Sequence, residues 1–216
     1  MNLDMSAISE YIPLILSGIP VILKLSAMSA VLGTLIGFIC ALIKTKKGFF
    51  SFIVSAYIDL FRGTPVYFQV YFFFFGMSQL VGRINPWLAA VLVFSLNSGA
   101  YLAEIMRAGI EGIDKGQIEA AKALGVKNSD IMKDIIIPQA VRKVLPALIN
   151  EFITLTKETS VVSVMGISDM MRMFSIVQGT TYRSLEPLLV VGIAYYLMNK
   201  VLSFIGSYIE RKLKYD

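Results

Sequence analysis

Residues 12–43 carry a single charge, Lys24, and residues 66–81 carry none. The first run exceeds the roughly 20 residues a helix needs to cross a bilayer core of about 30 Å, and the second comes close to it. With 56% of its 216 residues hydrophobic, 16% charged and a mean hydropathy of +0.70, the chain has a composition that a soluble domain rarely tolerates, so the bilayer is its expected solvent. The second run extends back to Phe52, interrupted by Asp59 and Arg62. The sequence has no histidine, and its one cysteine, Cys40, lies in an apolar run. His-based catalysis, a disulfide framework and the common zinc arrangements are thereby excluded, and Cys40 is expected to be a packing residue. No catalytic residue and no metal ligand is assigned. The net charge of +5 comes from basic residues beside the apolar runs, not from a patch interleaved with aromatics, so no nucleic-acid partner is expected. Residues 1–10 lack the basic stretch and cleavage site of a secretory signal, so the first span is expected to be retained.

Hydropathy and punctuation predict an all-α membrane protein of about five transmembrane helices, at roughly 17–43, 52–80, 86–107, 138–163 and 186–209, within a single domain over 1–216. Residues 5–16 suit a short interfacial helix. Gly63, Thr64 and Pro65 are expected to bend the second span, because proline removes a backbone donor and clashes with the preceding turn. Thirteen basic residues fall on one side of these spans: Lys44, Lys46, Lys47, Arg107, Lys115, Lys122, Lys127, Lys133, Arg142, Lys143, Arg211, Lys212 and Lys214. Only Arg83, Arg172 and Arg183 fall on the other. Positive residues favour the cytoplasmic side, which puts the N-terminus outside, the C-terminus inside and the 108–137 loop in the cytoplasm. Five spans do not divide into paired inverted halves, so a pathway calls for a second chain.

The loop carries the most information. Residues 116–138 read GQIEAAKALGVKNSDIMKDIIIP. Glu119 through Leu124 are strong helix formers and Gly125 supplies a left-handed stop, giving a helix of two to three turns. Ile118, Ala121 and Leu124 share one apolar face, suited to docking in a partner's groove. The spacing E-A-A, three residues, G, nine residues, I-x-x-P is met by Glu119, Ala120, Ala121, Gly125, Ile135 and Pro138. Here the chain resembles the permease subunits of type I ATP-binding-cassette importers, whose signature ends I-x-L-P and has leucine where this chain has Ile137. Arg62-Gly63-Thr64-Pro65, the segment from Asn97 to Arg107 and Lys157-Glu158-Thr159-Ser160 resemble the branch that carries polar amino acids.

The resemblance implies a bacterial inner-membrane transport subunit with a cytoplasmic coupling helix, paired with a second permease chain, the same or related. It also implies nucleotide-binding ATPase subunits and an extracytoplasmic amino-acid-binding protein. Glu119, Ala120, Ala121, Leu124, Gly125 and Pro138 would then meet the ATPase. No glycine is followed by lysine, so a phosphate-binding loop is absent from this chain, and ATP and Mg are expected on the partner.

Ionisable groups in hydrocarbon cost roughly 2.5–3.5 kcal/mol each and mark functional positions. On the fourth span Asn150, Glu151, Thr154, Lys157 and Glu158 fall within an arc of about 120°. On the third, Asn97, Tyr101 and Glu104 form a second stripe. Facing each other, the stripes would enclose an amino acid, with Glu151 taking a cationic group and Asn97 and Tyr101 its backbone end. Arg62 and Asp59, three apart, are expected to pair at the bend, and Glu104 with Arg107 to fasten helices. An intramembrane protease would need a nucleophile with a base that no spacing supplies. A channel would leave the loop motif without a purpose.

Overall fold

The computed structural model describes residues 3–46 and 48–214, with the side chains of 213 and 214 outside the description. Of the thirteen basic residues that set the expected orientation, Lys47 and the Lys214 side chain therefore lie outside the described residues. Asp4 caps the start, its carboxylate accepting from Ser6 N, and the Ser6 hydroxyl beside it holds that exposed carboxyl below its usual range. A 3-10 stretch, Met5–Tyr11, leads into α1 (Ile12–Leu16) and α2 (Ile19–Lys44). Together they form an apolar helical run from Met5 to Lys44 rather than a separate surface helix and a span. Lys24, the lone charge in that run, sits with its ammonium 5.4 Å from the centre of the Trp87 ring.

The second predicted span is built as α3 (Phe49–Gly63), α4 (Val66–Tyr71), a π-helical turn at Phe72–Gly76 and α5 (Met77–Val81). Pro65 has no N–H to give Phe61 O, the bond an unbroken helix would make. Gln69 replaces it: its Nε2 donates to Phe61 O at 2.8 Å, to Thr64 O at 3.1 Å and to Thr64 Oγ1 at 2.9 Å. With no water in the hydrocarbon core, a break is tolerated only where such groups are re-satisfied. Replacing Gln69 by Leu strips three acceptors at once, and the permease should lose about 2–4 kcal/mol of stability, read as a fall in its melting temperature in detergent.

α6 (Pro86–Glu111) is capped by Asn85 and runs through the centre of the molecule, with 67% of its most apolar window buried. It pairs with α2 along a seam of small residues. A Cβ placed on Gly33 would meet Ser98 Cβ at 3.1 Å, one on Gly37 would meet Leu102 Cβ at 2.8 Å, and one on Gly99 would meet Ile36 Cγ2 at 2.8 Å. Gly33 and Gly37, four residues apart, thus let two backbones approach closely where van der Waals packing drives association in lipid.

Beyond α6 come α7 (Lys115–Ala123), α8 (Asn128–Asp130), a π-helical turn at Ile131–Ile136 and α9 (Ile137–Glu158), which continues as 3-10 helix over Thr159–Met165. α10 (Met170–Thr181) follows at a bend of 48°, and α11 (Leu185–Lys214) ends the description. α11 lies at the periphery, with only 11% of its apolar window buried. Among the described residues three helices are long and apolar enough to cross a membrane alone, four when the pair bent by 48° between Met165 and Met170 is counted as one span. The fifth predicted span is α11, and the second is the broken α3–α5, whose apolar stretch Val66–Val81 is shorter than a full span. α10 has no counterpart in the sequence reading; Asp169 caps it, accepting from Met171 N and Arg172 N.

Candidate functional site

Two groups of residues stand out, one on the loop between α6 and α9 and one among the spans. In the loop, Asp114 caps α7 by accepting from Gln117 N, and Gly125 ends it in the left-handed region at φ 77°. Val126 N then donates to Ala121 O and Gly125 N to Lys122 O, the paired bonds of a glycine stop. Glu119 and Ala120 are exposed, as expected of docking residues.

The predicted apolar face needs correction. Ala121 is buried and Ile118 partly so, packed with Ile113, Ile131, Ile136 and the ends of α2, α6 and α9. Leu124, by contrast, is 85% exposed. It is the C-cap residue, where the backbone leaves helical geometry, so the three positions cannot share a face. One side of α7 faces the spans and Leu124 stands out from the loop alone. Pro138 opens α9, and Gln139 next to it donates to Gln117 Oε1 at 2.8 Å while Lys143 Nζ donates to Gly112 O at 2.6 Å. Gln139 thus ties α7 to α9, and Lys143 ties α9 to the end of α6 from which the loop leaves.

Among the spans, Glu151 lies on α9 with its carboxyl close to the buried Ser98 hydroxyl of α6, which has no partner at full hydrogen-bond geometry. Glu158 follows seven residues later, on the same face of α9. Thr154 is half-buried between them and Asn150 is exposed. Asn97 is placed otherwise than its stripe suggests. It is 3% exposed, and its Nδ2 donates to Gln69 Oε1 at 2.9 Å, locking α6 to the broken span. Tyr101, one turn on, is open, and the Arg62 guanidinium lies 5.4 Å from the centre of its ring. Arg62 and Asp59 do not come within ion-pair distance; Arg62 sits on the last turn before the break, against Tyr101. Glu104 does fasten helices, pairing with Arg107 at 2.8 Å and with Lys44 of α2 at 2.6 Å, while Arg107 also reaches Glu111. Gln69, which joins the break to Asn97 of α6, has no signal in the sequence as a functional residue, because a lone glutamine in an aromatic run carries no spacing pattern. Among the described residues no cluster of three or more metal-ligating side chains occurs.

A broken apolar span, a central small-residue seam and a helix tied to α9 outside the spans find their match over most of the chain. Residues 33–215 match the family described as binding-protein-dependent transport system inner membrane component. The chain belongs to this family. Its similarity to the arginine transport system permease protein ArtQ of Bacillus subtilis (strain 168) is 47% identity over 216 residues, covering 99% of each chain. The glutamine transport system permease protein GlnP of Escherichia coli (strain K12) is 35% identical, again over 99% of each. A solved amino acid ABC transporter crystallised with histidines has a chain that superposes with a TM-score of 0.93 at 39% identity, covering 98% of this chain and 100% of that one. The MetNI methionine transporter, at 20% identity and a TM-score of 0.77, shares the fold. As a binding-protein-dependent inner membrane component, the chain is a membrane transport subunit of an ABC importer and not an enzyme.

Proposed function

We propose that this chain is the subunit through which a bacterial importer moves polar amino acids, cationic ones by preference, into the cell. The observation that carries the reading is Glu151: a carboxylate at mid-span, close to the buried Ser98 hydroxyl, that no cation reaches within ion-pair distance among the described residues. A carboxylate at such a depth needs a cation to complement it, and the ammonium or guanidinium of a basic amino acid supplies one. Thr154 and Glu158 extend the same face, with Asn150 at its open edge. Asn97 acts from behind by holding α6 against the broken span, and Tyr101 faces the pathway. The relatives named for arginine and crystallised with histidines support a cationic cargo, and the one named for glutamine supports the wider class of polar amino acids.

Energy comes from ATP and Mg bound by partner ATPase subunits that dock on α7, at Glu119, Ala120 and Leu124, with Gly125 setting the end of the docking helix. A second permease chain completes the pathway and an extracytoplasmic binding protein delivers the amino acid. The charge bias puts the N-terminus outside and the C-terminus in the cytoplasm. Reconstituted with its partners, Glu151→Gln should lower arginine uptake tenfold or more while lowering glutamine uptake less. Equal arginine uptake by variant and parent rejects Glu151 as the cation receptor.

A further inference from the structure

Arg62 lies thirteen residues into α3, about 20 Å from its start at 1.5 Å per residue, and so near the middle of the bilayer. Charged residues at this depth are ordinarily paired or face a wet cavity. Arg62 is exposed, and among the described residues no carboxylate lies within ion-pair distance of it. Nor does the break beside it use the guanidinium, because Gln69 already donates to the carbonyls of Phe61 and Thr64. What the guanidinium has is the Tyr101 ring, 5.4 Å from its centre. A ring face can steady a guanidinium plane and leave the N–H edge open, and that edge matches a carboxylate in bidentate fashion.

The position of Tyr101 gives this edge a direction. Ser98 and Tyr101 are three residues apart on α6, and residues so spaced are neighbours on a helix surface. Glu151 faces Ser98 and Arg62 covers Tyr101, so an anion and a cation sit against adjacent positions of one helix. A discontinuous helix near the midplane is where transport sites are commonly built, since irregular backbone at that depth lines a cavity or is buried in protein.

We propose that Arg62 receives the α-carboxylate of the transported amino acid, its guanidinium held in place by Tyr101, while Glu151 receives the other end. The proposal rests on the amino-acid reading above but not on the preference for a cationic side chain, since every amino acid brings an α-carboxylate.

Binding to the purified permease–ATPase complex in nanodiscs, without the binding protein, tests it with two probe pairs: L-arginine with agmatine, and L-glutamine with 4-aminobutanamide. Each pair differs by the carboxylate alone. The parent should bind the L-amino acid of at least one pair tenfold or more above its decarboxylated amine. Arg62→Gln should erase that ratio by weakening the amino acid while leaving the amine within about twofold. Arg62→Lys, which keeps the charge but loses the fork, should retain only part of the ratio and guards against a folding defect in the glutamine variant. Asp59→Asn should leave the ratio unchanged. A parent that does not discriminate in either pair, an Arg62→Gln protein that loses acid and amine equally, or an Asp59→Asn protein that behaves like Arg62→Gln each overturns the proposal. Failure of the Glu151 reading appears separately, as a Glu151→Gln variant with undiminished arginine binding.

Discussion

Replacing Gly125 by Val should abolish uptake almost completely while leaving the spans folded. The glycine sits at φ 77°, where an L-residue costs about 1–2 kcal/mol and a β-branched one more, yet a Cβ there would touch nothing within 4 Å. The strain has no outlet in the core and relaxes by unwinding the stop, where Val126 N and Gly125 N hold the last carbonyls of α7. Leu124, standing out one residue earlier, would swing away from its docking position. Uptake in reconstituted vesicles should fall tenfold or more, with the ATPase of the partner no longer responding to loaded binding protein and the melting temperature of the permease within a few degrees of the parent. Asn, which tolerates the left-handed region, should fall between the two. A valine variant with full uptake would show that α7 does not transmit the power stroke.

The second large effect is structural. In Gly37→Leu the first added carbon alone would lie 2.8 Å from Leu102 Cβ and 3.1 Å from both Ala103 N and Gly99 O. Two of those three atoms are backbone, which cannot turn aside as a side chain does. α2 and α6 must separate, and in lipid no hydrophobic force draws them back together. Overpacking of this kind costs on the order of 1–3 kcal/mol, more where backbone is displaced. The variant should accumulate poorly in the membrane and be cleared by proteolysis. Gly192→Ala in α11 is the matched control, since its Cβ would meet open space. Normal accumulation of Gly37→Leu would mean that the seam is looser than its distances indicate.

Much of this architecture can be read from residue order alone, because a bilayer leaves few choices. The apolar runs of α2, α6, α9 and α11, the stop at Gly125 and the break at Pro65 each follow from one local rule: length in hydrocarbon, left-handed glycine, or a missing donor. What periodicity cannot supply is the identity of the neighbour. Asn97 and Tyr101 lie one helical turn apart, yet one is locked to Gln69 and the other lies open beneath Arg62. Ile118, Ala121 and Leu124 look equivalent on a helical wheel until the cap residue turns the last of them outward. α10 escaped notice for a different reason: Met170, Met171, Met173 and Phe174 are interrupted by Arg172 and Ser175, too polar a pattern to read as a span and too short to announce itself. Its cap, Asp169, precedes it as a helix start should, but only packing against distant residues shows why the helix is there.

That packing bears on the order in which the protein is made. Ile8, Ile15 and Ile22 are completely buried, in a cluster with Met170, Met173, Val177, Val191 and Ala194. These three isoleucines thus find their neighbours only after roughly 150 more residues have been added, which takes on the order of 7–30 s at about 5–20 residues per second. Throughout that interval the leading stripe of isoleucines faces lipid or the insertion machinery in place of protein. Chains whose synthesis halts before residue 170 would stay in the membrane with that stripe uncovered, a ready mark by which a quality-control protease could tell an unfinished permease from a finished one.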